Sequence, residues 1–359
     1  MNSLRKILSL IVITLFLSTT FVYGNEEAKD STGKPEKLDV KELILEHLAD
    51  SYTWHITKIG ETDIAIPLPV IVFSKTTGWH VFMSSAFHEN AQYEGLSIAA
   101  EGKYKGKIVE KDVQGNEVKP FDISITKVTF SLLLNSALLI FIILMVARSY
   151  KKDTYESKKG FVGFMEMFIM NINDDVIKPC IGKDYRKFSP YLLTVFFFIF
   201  FNNLVGIIPI FPGGANVTGN IAITFTLAVC TFIIVNIFGT REYWREIFWP
   251  DVPVWLKVPV PLMPAIELVG VFTKPFALMI RLFANMLAGH SIVLGLTCLV
   301  FVTVSLGPAM NASMTVVSVL FSVFINLVEV LVAYIQAYVF VLLSAVFIGL
   351  ARVEPHHKH

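Results

Sequence analysis

Between Lys274 and Arg352, Arg281 and Glu329 are the only Asp, Glu, Lys or Arg side chains, and both are embedded in apolar sequence. A charge at bilayer depth costs about 2.5 to 3.5 kcal/mol even on the forgiving insertion scale, so it must be offset by a partner or by water. Lysine or histidine escapes that cost by deprotonating. Arginine cannot, because its pKa stays above about 12. A fixed cation therefore stands where a neutral residue would cost less, and a titratable carboxylate stands on another apolar segment. That pairing suits the translocation of ions. Helical spacing arranges the neighbours: Glu267, Lys274, Arg281 and Ala288 recur every seven residues, with Asn285 four after Arg281. One narrow stripe thus carries the polar groups, while Leu282, Phe283 and Leu287 face elsewhere. His290 lies nine residues after Arg281, half a turn out of phase, and points into a different environment. On the last apolar segment Asn326, Glu329 and Gln336 share a face by offsets of three and seven. The two segments are expected to present facing polar stripes inside lipid. A carboxylate, amides and an imidazole, whose pKa of about 6.5 lies near neutrality, are suited to passing protons. The plain alternative for Asn285, Asn326 and Gln336 is interhelical hydrogen bonding. For Arg281 and Glu329 it is a buried salt bridge, which leaves the lengths of the two segments unexplained.

Those lengths are unusual. Residues 311–348 contain neither Gly nor Pro, so one continuous helix is expected, on the order of 57 Å long at about 1.5 Å per residue. The hydrocarbon core is only about 30 Å thick. Such a helix must lie steeply oblique, beyond the ordinary tilt range of about 0 to 40°. Residues 262–306 form a similarly long segment, and Gly307-Pro308 separates the two into an antiparallel hairpin. A pair of long oblique helices calls for a curved partner surface. Upstream, residues 128–147 read as a span followed by Arg148, Lys151, Lys152, Lys158 and Lys159, so its end is cytoplasmic by the positive-inside rule. Residues 161–177 are apolar but interrupted by Glu166 and by the polar cluster 171–175, the pattern of an interfacial helix. Spans at 191–211 and 221–239 are joined by a Pro212-Gly213-Gly214 turn without Lys or Arg, hence outside. The next loop carries Arg241, Arg245 and Lys257, hence inside. The tail with Arg352 and Lys358 is cytoplasmic, which gives five crossings with every basic loop on one side.

Composition agrees with an all-α polytopic membrane protein. The 359 residues are 54% hydrophobic and 16% charged, with a mean hydropathy of +0.62, well outside the balance of a soluble domain. The net charge of +1 gives no argument for a nucleic-acid partner. Cys180, Cys230 and Cys298 are far apart and without CxxC spacing, so neither a disulfide nor a metal site is expected. Residues 1–24 have a basic start at Arg5 and Lys6, an apolar core and a small-polar end, the pattern of a secretory signal peptide. Residues 25–126 are polar and mixed in charge, with strand-like alternation around Tyr104–Glu110 and a Gln114-Gly115-Asn116 turn. They read as a small β-rich extracytoplasmic extension. His47, His55, His80 and His88 within it have irregular spacing and read as ordinary surface or packed histidines. The membrane domain is then 127–359, with an ion-translocating core at 262–352. No GxxxxGK[ST] sequence occurs, so no nucleotide site is expected.

The run Arg281-Leu282-Phe283-Ala284-Asn285-Met286-Leu287-Ala288-Gly289-His290, preceded by Lys274-Pro275, closely resembles the signature of subunit a of the F-type ATP synthase. Gln336 and the aromatics after it resemble the last-helix signature, and Asn203, Gly206, Pro209 and Thr218-Gly219-Asn220 look like the family's earlier hairpin. The resemblance covers about residues 128–352. In some familiar bacterial members the position of His290 is acidic and that of Glu329 is histidine, and this chain looks like the reciprocal arrangement. The signal peptide and long extension depart from the minimal family pattern. The resemblance implies a stator in the bacterial inner membrane, working in ATP synthesis and proton transport and not catalytic alone. It faces a ring of c subunits with buried carboxylates and is held by peripheral-stalk b subunits among the remaining ATP synthase subunits. It also implies two half-channels separated by Arg281, with Glu329, His290 and Glu267 on the outer one and no cofactor. A self-contained secondary ion transporter is the alternative, and a sensor using the outer domain is a third reading. A transporter would carry paired interrupted helices and an internal repeat, which the sequence does not display. The one-sided distribution of Lys and Arg generates a direct test. Cysteine labelling in intact cells is expected to find residues 212–218 accessible from outside and residues 241–257 protected, and finding both on one side would contradict the assignment.

Overall fold

The computed structural model describes residues 44, 49–59, 62–89, 92–99, 102–111, 116–150, 158–208, 214–249, 262–304 and 307–352. The signal-peptide pattern, residues 112–115, residues 209–213 and the basic tail after 352 lie outside the described residues. The chain divides into two compact units, one of residues 1–134, 208–215 and 291–326, the other of 135–207, 216–290 and 327–359.

In the first unit, strands β1 (Thr53–Ile59) and β2 (Thr62–Pro67) form a hairpin. Strands β3 (Pro69–Ser74), β4 (Gly78–Met83) and β9 (Phe121–Asp122) make a sheet of order β4-β3-β9. The short strands β5 (Gln92–Tyr93), β6 (Leu96–Ile98), β7 (Ile108–Lys111) and β8 (Glu117–Val118) follow in sequence order in a third sheet. Period-two alternation sets the faces of β3: Val70, Val72 and Ser74 are buried while Pro69, Ile71 and Phe73 are partly exposed. Val70 and Val72 pack with Tyr52, Leu96 and Ile108 into a small core. The Tyr52 hydroxyl donates to Asp122 at 2.5 Å and accepts from the Ile108 amide at 3.4 Å. Burial first, and the bond to Asp122 second, push the Tyr52 phenol well above its ordinary value.

Beyond a single helical turn at Ala86–Glu89 in the strand-rich region, the helices are α1 (Lys127–Ser149), α2 (Phe161–Met170), α3 (Lys178–Ile181), α4 (Tyr185–Ile207), α5 (Ile221–Ile237), α6 (Arg241–Phe248), α7 (Leu262–Thr303) and α8 (Pro308–Ala351). The stretch expected to be an interfacial helix extends past residue 177 as far as Ile181. After α2 come a π-helical segment, Asn171–Ile177, then α3, which ends at Gly182 with φ 74°, then a 3₁₀ turn and α4, so that Phe161–Ile207 is a 47-residue apolar helical series broken at Gly182. The π segment turns Asp174 and Asp175 outward while burying Ile172, Val176 and Ile177, and Asn173 accepts from the Ser189 hydroxyl at 2.6 Å. The polar cluster is thus accommodated within a packed helix. Among the described residues four helices are long and apolar enough to cross a membrane, or five if α5 and α6, bent by 101°, count as one span.

At 42 and 44 residues, α7 and α8 are about 63 and 66 Å long, roughly twice the hydrocarbon thickness. Pro275 sits inside α7 without ending it. The core of the second unit gathers Phe196 and Ile199 of α4, Leu278, Leu282 and Met286 of α7, and Val341, Ala345 and Ile348 of α8. The C-terminal end of α8 is clamped. The Ala351 carbonyl accepts from the Thr240 amide at 2.8 Å, Arg352 pairs with Asp184, and a Cβ at Gly349 would lie 2.1 Å from the Cys180 carbonyl oxygen.

The raised Tyr52 phenol couples the strand-rich domain to pH. The folded chain holds this proton to a higher pH than the unfolded chain does. Its stabilisation is therefore complete below the ordinary value of about 10 and is lost as pH rises through the folded one. Tyr52→Phe is expected to flatten the alkaline decline in melting temperature of the full chain, and an unchanged slope would show that Tyr52 titrates freely.

Candidate functional site

The site begins with the two faces of α7. Leu278, Leu282 and Met286, four residues apart, are 1–2% exposed and point into the core. On the opposite face Ala277, Arg281, Ala284, Asn285 and Ala288 are exposed. Among the described residues Arg281 makes no hydrogen bond and no ion pair. Ala277, Ala284 and Ala288 beside it are small enough to admit a second helix closely, with the exposed Ile280 and Phe276 flanking them. Two turns earlier Lys274 is half-buried, its Nζ 5.7 Å from the centre of the Phe347 ring, in a cleft shared with Asn236 and Tyr243.

The other half of the site lies where α7 and α8 touch. His290 Nδ1 is 2.7 Å from Glu329 Oε1, with the two side chains 14% and 7% exposed. The imidazole N–H donates to an ionised carboxylate, or a protonated carboxyl donates to the imidazole, and the contact holds in either state. The other ring nitrogen, Nε2, is buried and has no hydrogen-bond partner among the described residues. Gly289 makes this approach possible, since a Cβ there would stand 2.4 Å from Glu329 Oε1 and 3.0 Å from its Cγ. Asn326 and Gln336 lie on the buried face of α8 with Glu329, each 8% exposed. The position of α7 is fixed by the segment after residue 213. Asn216 Nδ2 donates to the Met286 carbonyl at 3.3 Å while its Oδ1 accepts from the Gly219 amide at 2.8 Å. Thr218 donates to the buried Asn203 Oδ1 at 2.5 Å. Asn135 of α1 donates to Asn202 of α4 at 3.1 Å.

The expectation of facing polar stripes is corrected by this geometry. The stripe of Arg281 and Asn285 turns away from Glu329, and it is His290, half a turn out of phase, that meets the carboxylate. Leu282 and Met286 occupy the core-facing side of α7, which leaves the Arg281 side free of it. Glu267 is not brought to the pair either. It stands 23 residues before His290 on one continuous helix, about 35 Å along its axis. Gly289 and Asn216 were not singled out by sequence reasoning. A glycine beside His290 was visible, but only the fold shows which side chain fills the space left by its missing Cβ.

Chemically, one helix carries a permanent cation on its open face and one end of a carboxylate–imidazole pair on its packed side. The pair can exchange a proton across a contact already at hydrogen-bond length, and Nε2 offers a second port for it. The family described as ATP synthase A chain matches residues 129–349, and residues 43–126 match a family described only as a domain of unknown function. ATP synthase subunit a of Chloroherpeton thalassium is 41% identical over 250 residues, 67% of this chain and 70% of that protein. ATP synthase subunit a 2 of Chlorobaculum tepidum is 45% identical over 255 residues, 68% of each. ATP synthase subunit a of Myxococcus xanthus is 41% identical over 243 residues, 66% of this chain and 75% of that protein.

The contact between His290 and Glu329 makes a double-exchange experiment informative. His290→Glu combined with Glu329→His is expected to restore more proton transfer in energised membranes than either single change retains. A double variant no better than the singles would show that the two are not coupled.

Proposed function

The chain belongs to the ATP synthase A chain family, and from that premise we propose that it is the stationary proton-translocating subunit of a rotary ATP synthase, working against a rotating ring of c subunits. It is a multi-pass membrane protein. The observation that carries the reading is Arg281: exposed, unpaired among the described residues, and flanked by Ala277, Ala284 and Ala288 on a long apolar helix. A permanent charge so placed must be offset by water or by a partner, and its open face leaves it accessible to an anionic group from outside the chain. A ring of hairpin subunits, each with a membrane-buried carboxylate, supplies one after another.

In this mechanism Arg281 favours the ionised ring carboxylate and bars a proton from passing straight between two half-channels, so transfer requires rotation. His290 and Glu329 line the outer half-channel, with Asn326 and Gln336 on the same face of α8. Asn285 borders the ring contact beside Arg281. Glu267 and Lys274, far down α7, serve the opposite, cytoplasmic end. Each elementary charge crossing 100 mV supplies about 2.3 kcal/mol, so several are summed for each ATP. Catalysis resides in other subunits, and peripheral-stalk b subunits hold this one still. The mature N-terminus lies outside the bacterial inner membrane and the C-terminus in the cytoplasm.

Arg281→Ala is expected to abolish ATP synthesis while the complex still assembles, and to raise passive proton conductance in membranes stripped of the catalytic head. Arg281→Lys fails as well, since an ammonium at this depth deprotonates and lacks the forked geometry. Near-normal coupled synthesis by Arg281→Ala would make the charge structural and the mechanism wrong.

A further inference from the structure

The strand-rich domain presents an apolar sheet face that the ion path does not use. Trp79, Val81 and Met83 on β4 are 61, 70 and 47% exposed, and Phe121 and Ile123 are 64 and 51% exposed. The register pairs Phe73 with both Trp79 and Phe121, so these residues form one continuous surface across the three strands. The opposite face, with Val70 and Val72, is already buried in the domain's own core. Scattered single hydrophobics are ordinary on a protein surface, but a contiguous patch marks an interaction site.

The attachment of this sheet to α1 says what it meets. The pairing of β9 with β3 continues past the strand, the Ile123 amide bonding the Ile71 carbonyl at 3.0 Å and the Ile125 amide bonding the Pro69 carbonyl at 3.1 Å. At once α1 begins, its Lys127 amide bound to the Ser51 carbonyl at 2.8 Å and its Val128 amide capped by Asp50 at 3.1 Å. Trp54 of β1 packs edge-on against Phe130 in the first turns of α1, centroids 5.9 Å apart. No flexible linker separates sheet from helix. Ile123 is four residues from Lys127, where a helix long and apolar enough to cross a membrane begins, a reach of at most about 14 Å. The headgroup zone on each side of the hydrocarbon is itself about 5 to 8 Å deep. The sheet is thereby held at the membrane surface, where Trp and other amphipathic aromatics partition. Lys119, exposed and in phase with Phe121 and Ile123, and Lys75, exposed just after β3, place cations at the rim of the patch, where lipid phosphates can pair with them.

We propose that the face of Trp79, Val81, Met83 and Phe121 is a membrane-docking surface that inserts into the lipid headgroup layer beside α1 and fixes the domain against the bilayer. Of the five tryptophans, Trp79 is the reporter, read as the difference in fluorescence between the full chain and its Trp79→Phe variant. Both are reconstituted in vesicles of zwitterionic and acidic phospholipids brominated close to the headgroup. The Trp79 contribution is expected to fall by about half or more relative to unbrominated vesicles, as for an interfacial residue, and to resist aqueous acrylamide. Phe121→Trp in the Trp79→Phe background is expected to behave the same way and guards against a local defect at residue 79. Quenching by acrylamide but not by brominated lipid would place the face in water. Quenching by neither would place it under protein. Either result overturns the proposal.

Discussion

An arginine keeps its charge at any depth in a membrane, and Arg281 keeps it on a helix whose exposed neighbours are alanine, asparagine and large apolar residues. The other features of the helical core become intelligible from that constraint. A core of aromatic and aliphatic side chains holds the far side of α7 through Leu278, Leu282 and Met286. Asn216 ties the Met286 carbonyl to the loop before α5. These contacts fix the rotation of α7, and rotation decides whether position 281 faces the core or the open surface. A turn of about 100°, one residue's worth, would bring the charge to the side of α7 where Leu282 is buried in the core.

The same rotation settles the partner of Glu329. Because His290 is half a turn from Arg281, a helix that presents the guanidinium outward presents the imidazole inward. The missing Cβ of Gly289 lets α8 come close enough for a 2.7 Å contact. The cation and the His290–Glu329 pair therefore lie on different sides of α7, nine residues and about 13.5 Å apart along its axis. A simple salt bridge between Arg281 and Glu329 would have satisfied both charges and left no group open to the outside. The clamp at the end of α8, where Arg352 meets Asp184 and Ala351 meets Thr240, keeps this long helix from sliding along α7.

Much of this was legible in the sequence for physical reasons. The cost of charge in lipid singled out Arg281 and Glu329, and the absence of Gly and Pro gave the uninterrupted α8. The nine-residue offset separated His290 from the arginine stripe. Which stripe α8 packs against was not legible, because helical phase orders the residues on one helix but does not choose its neighbour. The continuation of α2 through residues 171–181 was not legible for a related reason. The polar residues at 171–175 read as an interruption, whereas a π segment turns the aspartates outward and buries Ile172 and Val176 without breaking the run. Glu267 matched the heptad phase of Arg281, but phase says nothing about axial distance, and the length of α7 carries it far from His290.

The central claim is that the open face of α7 is the one that meets the moving carboxylates. Oxidative cross-linking in the assembled complex tests it, using cysteines placed singly on α7 against one beside the buried carboxylate of the ring subunit. Ala277→Cys, Ala284→Cys and Ala288→Cys are expected to yield adducts, and Leu282→Cys and Met286→Cys to yield none. The reverse pattern, or adducts independent of helical phase, would contradict the account.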